Sequence, residues 1–303
     1  MLFAFPGGPA VKAAFARHLL DDRARHRQLD LVGPPPLASR LVSNAGRAYT
    51  HAMSEMQQAI PAATLVLFRD GAGAPELLFV ERAKAMVFAG GALVFPGGRI
   101  DPGDHALALT LGGDPDDTAA RIAAIRETVE EVGLAIGLDP ALEGDMLASL
   151  RGALHAGTSF GAALLAAGAK LDIAPLVPFA RWLPAHAHMR IFDTRFYLAR
   201  LPHGAPDPVV DDTENVRVFW ATAQSVLDDA DAGRVHIIFP TRRNLERLAR
   251  FASFEEAAAD AARYPIRPVT PWTEEIDGLP HLRIPDDLGY PVTAELLTSA
   301  LRG

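Results

Sequence analysis

Apolar residues along the chain are spaced in two ways, and the change of spacing marks the elements. Short dense runs at 63–69 and 77–81 predict two strands, joined by the turn Asp70-Gly71-Ala72-Gly73-Ala74-Pro75. A third run, 93–95, leads into Phe95-Pro96-Gly97-Gly98. Further on the spacing turns helical. Ile122, Ile125, Val129 and Val132 fall on one stripe at roughly 100° per residue. Asp117 or Thr118 is placed to cap that helix and Gly133 to close it. Residues 141–170 read as two helices, one ending near Gly157 and one over 160–169. Strand-like runs return at 171–182, 191–201 and 216–220. Helices are predicted over 222–232, closed by Gly233, and from Pro240-Thr241 to Arg250. Ser253 with Glu256 three residues on has capping-box spacing for one more. The tail, 264–303, is punctuated by prolines and is expected to pack on the surface. Upstream, 11–27 has helical spacing, Gly33-Pro34-Pro35-Pro36 breaks it, and 47–60 allows a short helix. The expected organisation is an N-terminal extension over 1–60, a main domain over 61–252 with a helical insertion near 141–170, and a C-terminal helix and tail over 253–303.

The face opposite the aliphatic stripe carries Glu127, Glu130 and Glu131. Carboxylates held together repel one another and raise one another's pKa, so such a cluster requires compensation. A solvated acidic helix face is the plain reading, because Glu-rich helices are common. Hard divalent cations are the alternative, since Mg²⁺ and Mn²⁺ prefer carboxylate oxygen. The Phe95-Pro96-Gly97-Gly98 loop favours the second reading, because glycines let bare backbone approach a ligand. Phe5-Pro6-Gly7-Gly8 repeats those letters, but no acidic helix follows it.

Residues 98–134 resemble the signature of the Nudix hydrolases, G-x5-E-x7-R-E-U-x-E-E-x-G-U, where U is a bulky aliphatic. Gly98 matches the first glycine, Arg126-Glu127 the R-E pair, Glu130-Glu131 the E-E pair, and Gly133-Leu134 the ending. Three departures stand out. Asp104 replaces the first glutamate, Thr128 replaces an aliphatic, and 21 residues separate Asp104 from Arg126 where the family has 7. The inserted stretch ends in Gly112-Gly113-Asp114-Pro115-Asp116-Asp117 and reads as a loop bulging out before the helix. An interrupted box with R-E-T-x-E-E is similar to the branch containing the peroxisomal coenzyme A diphosphatase. The segment Arg190-Ile191-Phe192-Asp193-Thr194-Arg195-Phe196-Tyr197 resembles R-F-D-T-R-F-F of the same branch.

The resemblance implies an α/β fold, the Nudix α/β/α sandwich with a mixed sheet, here with a helical insertion and C-terminal helices. It also implies metal-dependent hydrolysis of a nucleoside diphosphate linked to another group. Coenzyme A or acyl-CoA is the first substrate reading; ADP-ribose, NADH or a nucleotide sugar are the others. Mg²⁺ or Mn²⁺ would sit on Glu127, Glu130, Glu131 and the Gly97 carbonyl, with Arg126 orienting the carboxylates. Asp104 is shorter than the family's glutamate, which leaves its part as a ligand open. Glu214, or a box glutamate such as Glu130 or Glu131, would act as general base. Gly98, Arg99, Arg82, Arg190 and Arg195 are the candidate substrate contacts, guanidinium groups being suited to phosphate oxygens. For Arg82 an exposed turn position is the competing reading, and for Arg190 and Arg195 an internal ion pair with Asp193 or another carboxylate. His186 and His188 lack a third partner at ligand spacing and read as polar loop residues. A non-catalytic nucleotide sensor is the reading from another class, disfavoured because all three box glutamates are present.

Composition trims these readings further. The net charge of −8 argues against a generic nucleic-acid binder. No apolar run approaches the 18 or more residues that span a bilayer, and the N-terminus lacks the basic flank of a secretion signal. Cysteine is absent, which fits a reducing cytoplasm. The expected partner is a small nucleotide, without nucleic acid or membrane. A homodimer is compatible with the sequence, which does not fix the oligomeric state.

Overall fold

In the computed structural model, which describes residues 59–84, 89–184, 191–210 and 215–300, the first strand shows why the fold has two helical layers. Strand β1 (Ile60–Arg69) is buried without a break from Ala62 to Phe68, so both of its faces are covered. It pairs in parallel with β8 (Phe192–Arg200), setting Leu65 beside Tyr197 and Phe68 beside Arg200. Alternate residues point to opposite faces. On one face Tyr197 donates from its hydroxyl to Asp117 Oδ1 at 2.8 Å, at the start of helix α2 (Pro115–Val132). On the other, Phe68 meets Phe254 of helix α7 (Phe254–Ala261) edge-on, with ring centroids 5.5 Å apart. The result is an α/β/α sandwich on a mixed sheet.

Among the described residues that sheet has nine strands. Its spine is built on β1, β2 (Glu76–Arg82), β3 (Ala92–Val94), β7 (Val177–Trp182) and β8, with the short β10 (His236–Ile237) and β11 (Pro268–Val269) at its ends. Two strands branch from it: β4 (Gly97–Arg99) pairs with β1, and β9 (Asn215–Thr222) pairs with β2.

Helix α2 is the expected amphipathic helix, and Ile122, Ile125, Val129 and Val132 are fully buried. It begins earlier than expected. Asp114, not Asp117 or Thr118, is the cap: its side chain accepts the Asp117 N–H at 2.8 Å, and Pro115 occupies the first turn. Asp117 is thereby released to bind the sheet. Gly133 closes the helix in the left-handed region, at φ 65°.

The stretch before α2 departs from expectation. It is not a loop: helix α1 (Pro102–Leu111) fills most of it, and only Gly112-Gly113-Asp114 turn between the two helices. Its sequence hid it because only Asp104 and Ala108 are buried, so no apolar stripe marks it. Helices α3 (Gly144–His155) and α4 (Phe160–Ala167) stand where two helices were expected. Their excursion is closed at its neck by β5 (Leu138–Asp139) pairing with β6 (Lys170–Leu171).

Helix α5 (Ala223–Asp231) follows β9, and α6 (Phe239–Leu248) packs beside α7 through the buried Arg247–Asp260 ion pair at 2.9 Å. The tail does more than lie on the surface. Strands β12 (Trp272–Ile276), β13 (Leu279–Arg283) and β14 (Ala294–Leu296) form a separate three-stranded sheet, followed by the short α8 (Leu297–Ala300). Tyr290 enters the core, where its hydroxyl accepts from Trp182 Nε1 and donates to Asn244 Oδ1, both at 3.0 Å. No helix among the described residues is long and apolar enough to cross a membrane. Residues 1–58, with the predicted helices there, lie outside the described residues.

Candidate active site

Strand β4 delivers two bare backbone units to the last turns of α2. It pairs with β1 so that Gly98 opposes Ala63 and Gly97 opposes Thr64. A Cβ on Gly97 would lie 2.4 Å from the Ala63 carbonyl oxygen, and one on Gly98 would lie 2.4 Å from Glu127 Oε1. At Gly97 the obstacle is backbone and excludes a side chain, whereas at Gly98 it is the end of the Glu127 side chain, which would have to move. The loop's glycines bring backbone up against the helix carboxylates.

Arg126 is the hub of that cluster, and its side chain is 7% exposed. Nε donates to Asp104 Oδ1 at 3.0 Å, and Nη2 to Asp104 Oδ2 and the Arg99 carbonyl, each at 2.9 Å. Nη1 is shared between Glu127 Oε1 and Glu130 Oε1, both at 3.0 Å. Burial works against its charge, but the bonds to Asp104, the charges of Glu127 and Asp104 and the bond to Glu130 hold the guanidinium above its ordinary pKa. Glu131 turns the other way: Oε2 accepts the Gly97 N–H at 3.0 Å and Oε1 faces Arg82 Nη1 at 3.8 Å. Burial pushes the Glu127 carboxyl up to about 8; Arg126 opposes this, and Glu131 and Glu130 add to it.

Two departures from the signature are accounted for by these contacts. Asp104 is 1% exposed, takes Arg126 with both oxygens, and also accepts the Asp101 N–H at 2.8 Å. Its short side chain is spent on the arginine. Thr128, fully buried at an aliphatic position, donates its hydroxyl to the Ala124 carbonyl at 2.7 Å, so no polar atom is stranded.

Similarity to solved proteins gives this cluster a family. A Nudix hydrolase from Alicyclobacillus acidocaldarius, known as a crystal structure, is 32% identical over 67% of this chain and 97% of its own, with a TM-score of 0.60. The chain belongs to the Nudix hydrolase family. Also similar are a C. elegans Ap4A hydrolase in a binary complex, 19% identical over 57% of this chain and 87% of its own with a TM-score of 0.33, and the NUDIX domain of Shewanella oneidensis NrtR, solved with ADP ribose, 14% identical over 69% and 97% with a TM-score of 0.38. No protein-family model and no curated protein matches the chain.

Nudix hydrolases generally use divalent metals, and the donor set here suits one. Glu127, Glu130 and Glu131 offer only oxygen, the choice of a hard cation. A carboxyl held near 8 by burial and like charge is one that a dication would relieve. Among the described residues no three acidic or imidazole side chains converge on one point. Glu127 and Glu130 are turned to Arg126, and Glu131 to Gly97 and Arg82.

The remaining expected residues of this Nudix enzyme divide in two. Arg82, Gly97, Gly98, Arg99, Arg126, Glu127, Glu130 and Glu131 share one region. Arg82 is not an exposed turn residue: it is 1% exposed at the end of β2. Arg99 is exposed, its carbonyl bound by Arg126. Arg195 is not brought there. It pairs with Asp117 at 3.4 Å, ten residues before Glu127, or about 15 Å along the helix axis. Asp193 pairs instead with Arg181, whose Nε donates to it at 2.7 Å. Glu214, Arg190, His186 and His188 lie outside the described residues. Sequence reasoning missed the tie between Asp104 and Arg126, which needs α1 to fold back onto α2.

Proposed function

We propose that this Nudix hydrolase cleaves a nucleoside diphosphate linked to a second group, with coenzyme A or acyl-CoA as the substrate class and 3′,5′-ADP and 4′-phosphopantetheine or its acyl form as products. The observation that carries the reaction is the carboxylate cluster gathered by Arg126 beside the bare backbone of Gly97 and Gly98. Glu127, Glu130, Glu131 and the Gly97 carbonyl would hold Mg²⁺ or Mn²⁺. Such an ion would supply neutralisation of the diphosphate charge and a lowered pKa for the attacking water.

The protein's own groups do the rest. Arg126 keeps Glu127 and Glu130 in a fixed relation and prevents their repulsion from splaying the helix end. The Gly97 N–H orients Glu131. A carboxylate of the cluster or Glu214 takes the proton of the attacking water, and arginines at the rim, Arg99 among them, face the charge growing on phosphoryl oxygen. Buried Arg82 balances Glu131.

The coenzyme A assignment rests on sequence likeness, the interrupted R-E-T-x-E-E box and the 190–197 segment. The test is product analysis by mass spectrometry. Purified protein with Mg²⁺ or Mn²⁺ is given coenzyme A, acetyl-CoA, ADP-ribose, NADH and UDP-glucose, beside a Glu130→Gln control. Release of 3′,5′-ADP by the wild type alone is expected. Turnover of another substrate would sink the coenzyme A reading and keep the reaction class. Nucleotide binding without cleavage would make the chain a sensor.

A further inference from the structure

The end of α2 that bears the three glutamates is electrostatically awkward. The carbonyl end of a helix carries about half a negative charge, and cations belong there. Glu127, Glu130 and Glu131 add negative charge at that end, and the helix has no basic residue in its last turn. The positive charge arrives from another element. Arg151, on α3 of the insertion, donates from Nε to the Glu130 carbonyl at 2.9 Å and from Nη2 to the Glu131 carbonyl at 3.0 Å. His155, one turn further along α3, places Nε2 3.1 Å from the same Glu130 carbonyl.

The last four carbonyls of a helix have no partner within it. Here each one is met. Val129 receives the Gly133 N–H at 3.0 Å, Glu130 and Glu131 receive Arg151, and Val132 receives the Val209 N–H at 3.0 Å. Arg151 Nη2 also donates to the Val209 carbonyl at 2.8 Å, so one guanidinium joins the helix end to the segment that leads towards β9. The fit at Gly133 is close: a Cβ there would stand 3.3 Å from Arg151 Nη1. The glycine that closes α2 thus serves the arginine as well as the left-handed turn.

We infer that Arg151 is a positioning residue for the reaction. It clamps the backbone of Glu130 and Glu131, and with it sets where their carboxylates stand for a metal. The insertion over residues 138–171 would then be part of the catalytic apparatus and not an appendage. This rests on the metal-dependent reading of the site.

The test uses the full chain as wild type, Arg151→Met, Arg151→Lys and Arg121→Met. Arg121 is the control because it braces the opposite end of α2, through Asp117 and the Leu176 carbonyl. Mn²⁺ affinity is measured by electron paramagnetic resonance at a temperature where circular dichroism shows all four folded. Arg151→Met is expected to weaken Mn²⁺ binding about tenfold or more, the scale for groups that orient metal ligands. Arg151→Lys should recover part of the loss, and Arg121→Met should stay within about twofold of wild type. Unchanged affinity in Arg151→Met, or an equal loss in Arg121→Met, overturns the proposal. If wild type binds no Mn²⁺, the metal reading fails on its own account. Hydrogen exchange of the 130–133 amides in metal-free protein then decides: selective acceleration of at least tenfold in Arg151→Met supports the clamp, and unchanged exchange refutes it.

Discussion

Gly98 and Glu127 illustrate how closely single positions are set in this site. Alanine at 98 would put a methyl 2.4 Å from the Glu127 carboxyl, and the far end of that side chain must yield. Gly98→Ala should therefore lower kcat/KM at least tenfold while leaving the melting temperature within a few degrees, read by steady-state kinetics and calorimetry. Arg126→Met should lower stability as well as activity. It leaves Asp104, Glu127 and Glu130 without their cation, and losing one partner from a buried ion cluster costs about 3–5 kcal/mol, measurable by urea unfolding. Glu127 also predicts how stability varies with pH. Its carboxyl is pushed up to about 8 in the folded protein against an ordinary 4.5, so folding favours the protonated form. That contribution is complete below about 4.5 and drains away as pH rises through about 8. Chelator-treated protein should lose stability across this window, and saturating Mn²⁺ should abolish much of the slope. Burial pushes Glu246 up to about 7 and adds a slope of the same sign, which Glu246→Gln removes and Mn²⁺ does not. A slope indifferent to Mn²⁺ in Glu246→Gln protein would count against a metal on Glu127.

Elements were legible where burial leaves a periodic trace. Helix α2 could be read from its stripe and its closing glycine, β1 from a dense apolar run that becomes a buried strand, and β8 from the apolar run Phe196–Ala199 at its end. Helix α1 could not, having only two buried residues and a Pro102-Gly103 start that reads as a turn. The tail strands were equally hidden, since Trp272–Ile276 and Leu279–Arg283 mix charges and proline and gain order by pairing with each other. At the site, the glutamates and Arg126 could be read from spacing, whereas the Asp104 contact and the Arg151 clamp depend on helices returning from elsewhere in the chain. The same distinction applies to Arg195. Its motif suited a phosphate contact or an internal ion pair alike, and the fold uses it as the ion pair that ties β8 to the start of α2. Arg195→Met should cost at most about 1 kcal/mol, as expected for a partly exposed pair, and leave KM within about twofold. A tenfold rise in KM would restore it to the substrate-binding residues.

Across the whole molecule, α2 and the tail lie on opposite sides of the sheet. Trp182 stands beside Thr194 on β8, the neighbour of Arg195, so its ring faces away from the layer that holds Arg195, Tyr197 and Asp117. On that far side the fully buried indole donates to the Tyr290 hydroxyl, which donates in turn to Asn244 Oδ1. Ile284 and Leu288 of the tail are buried with it. The tail is thus part of the core although its strands form a sheet of their own. Tyr290→Phe keeps the ring and deletes the hydroxyl, leaving Trp182 Nε1 with a 3.3 Å approach to Asn244 Oδ1. A lost bond of this buried kind costs about 1–3 kcal/mol. The melting temperature should fall by a few degrees, while kcat, KM and Mn²⁺ affinity remain at wild-type values because the carboxylate cluster lies across the sheet. Changed Mn²⁺ affinity in folded Tyr290→Phe protein would show that the sheet transmits strain from the tail to α2, and the two layers could no longer be treated as independent.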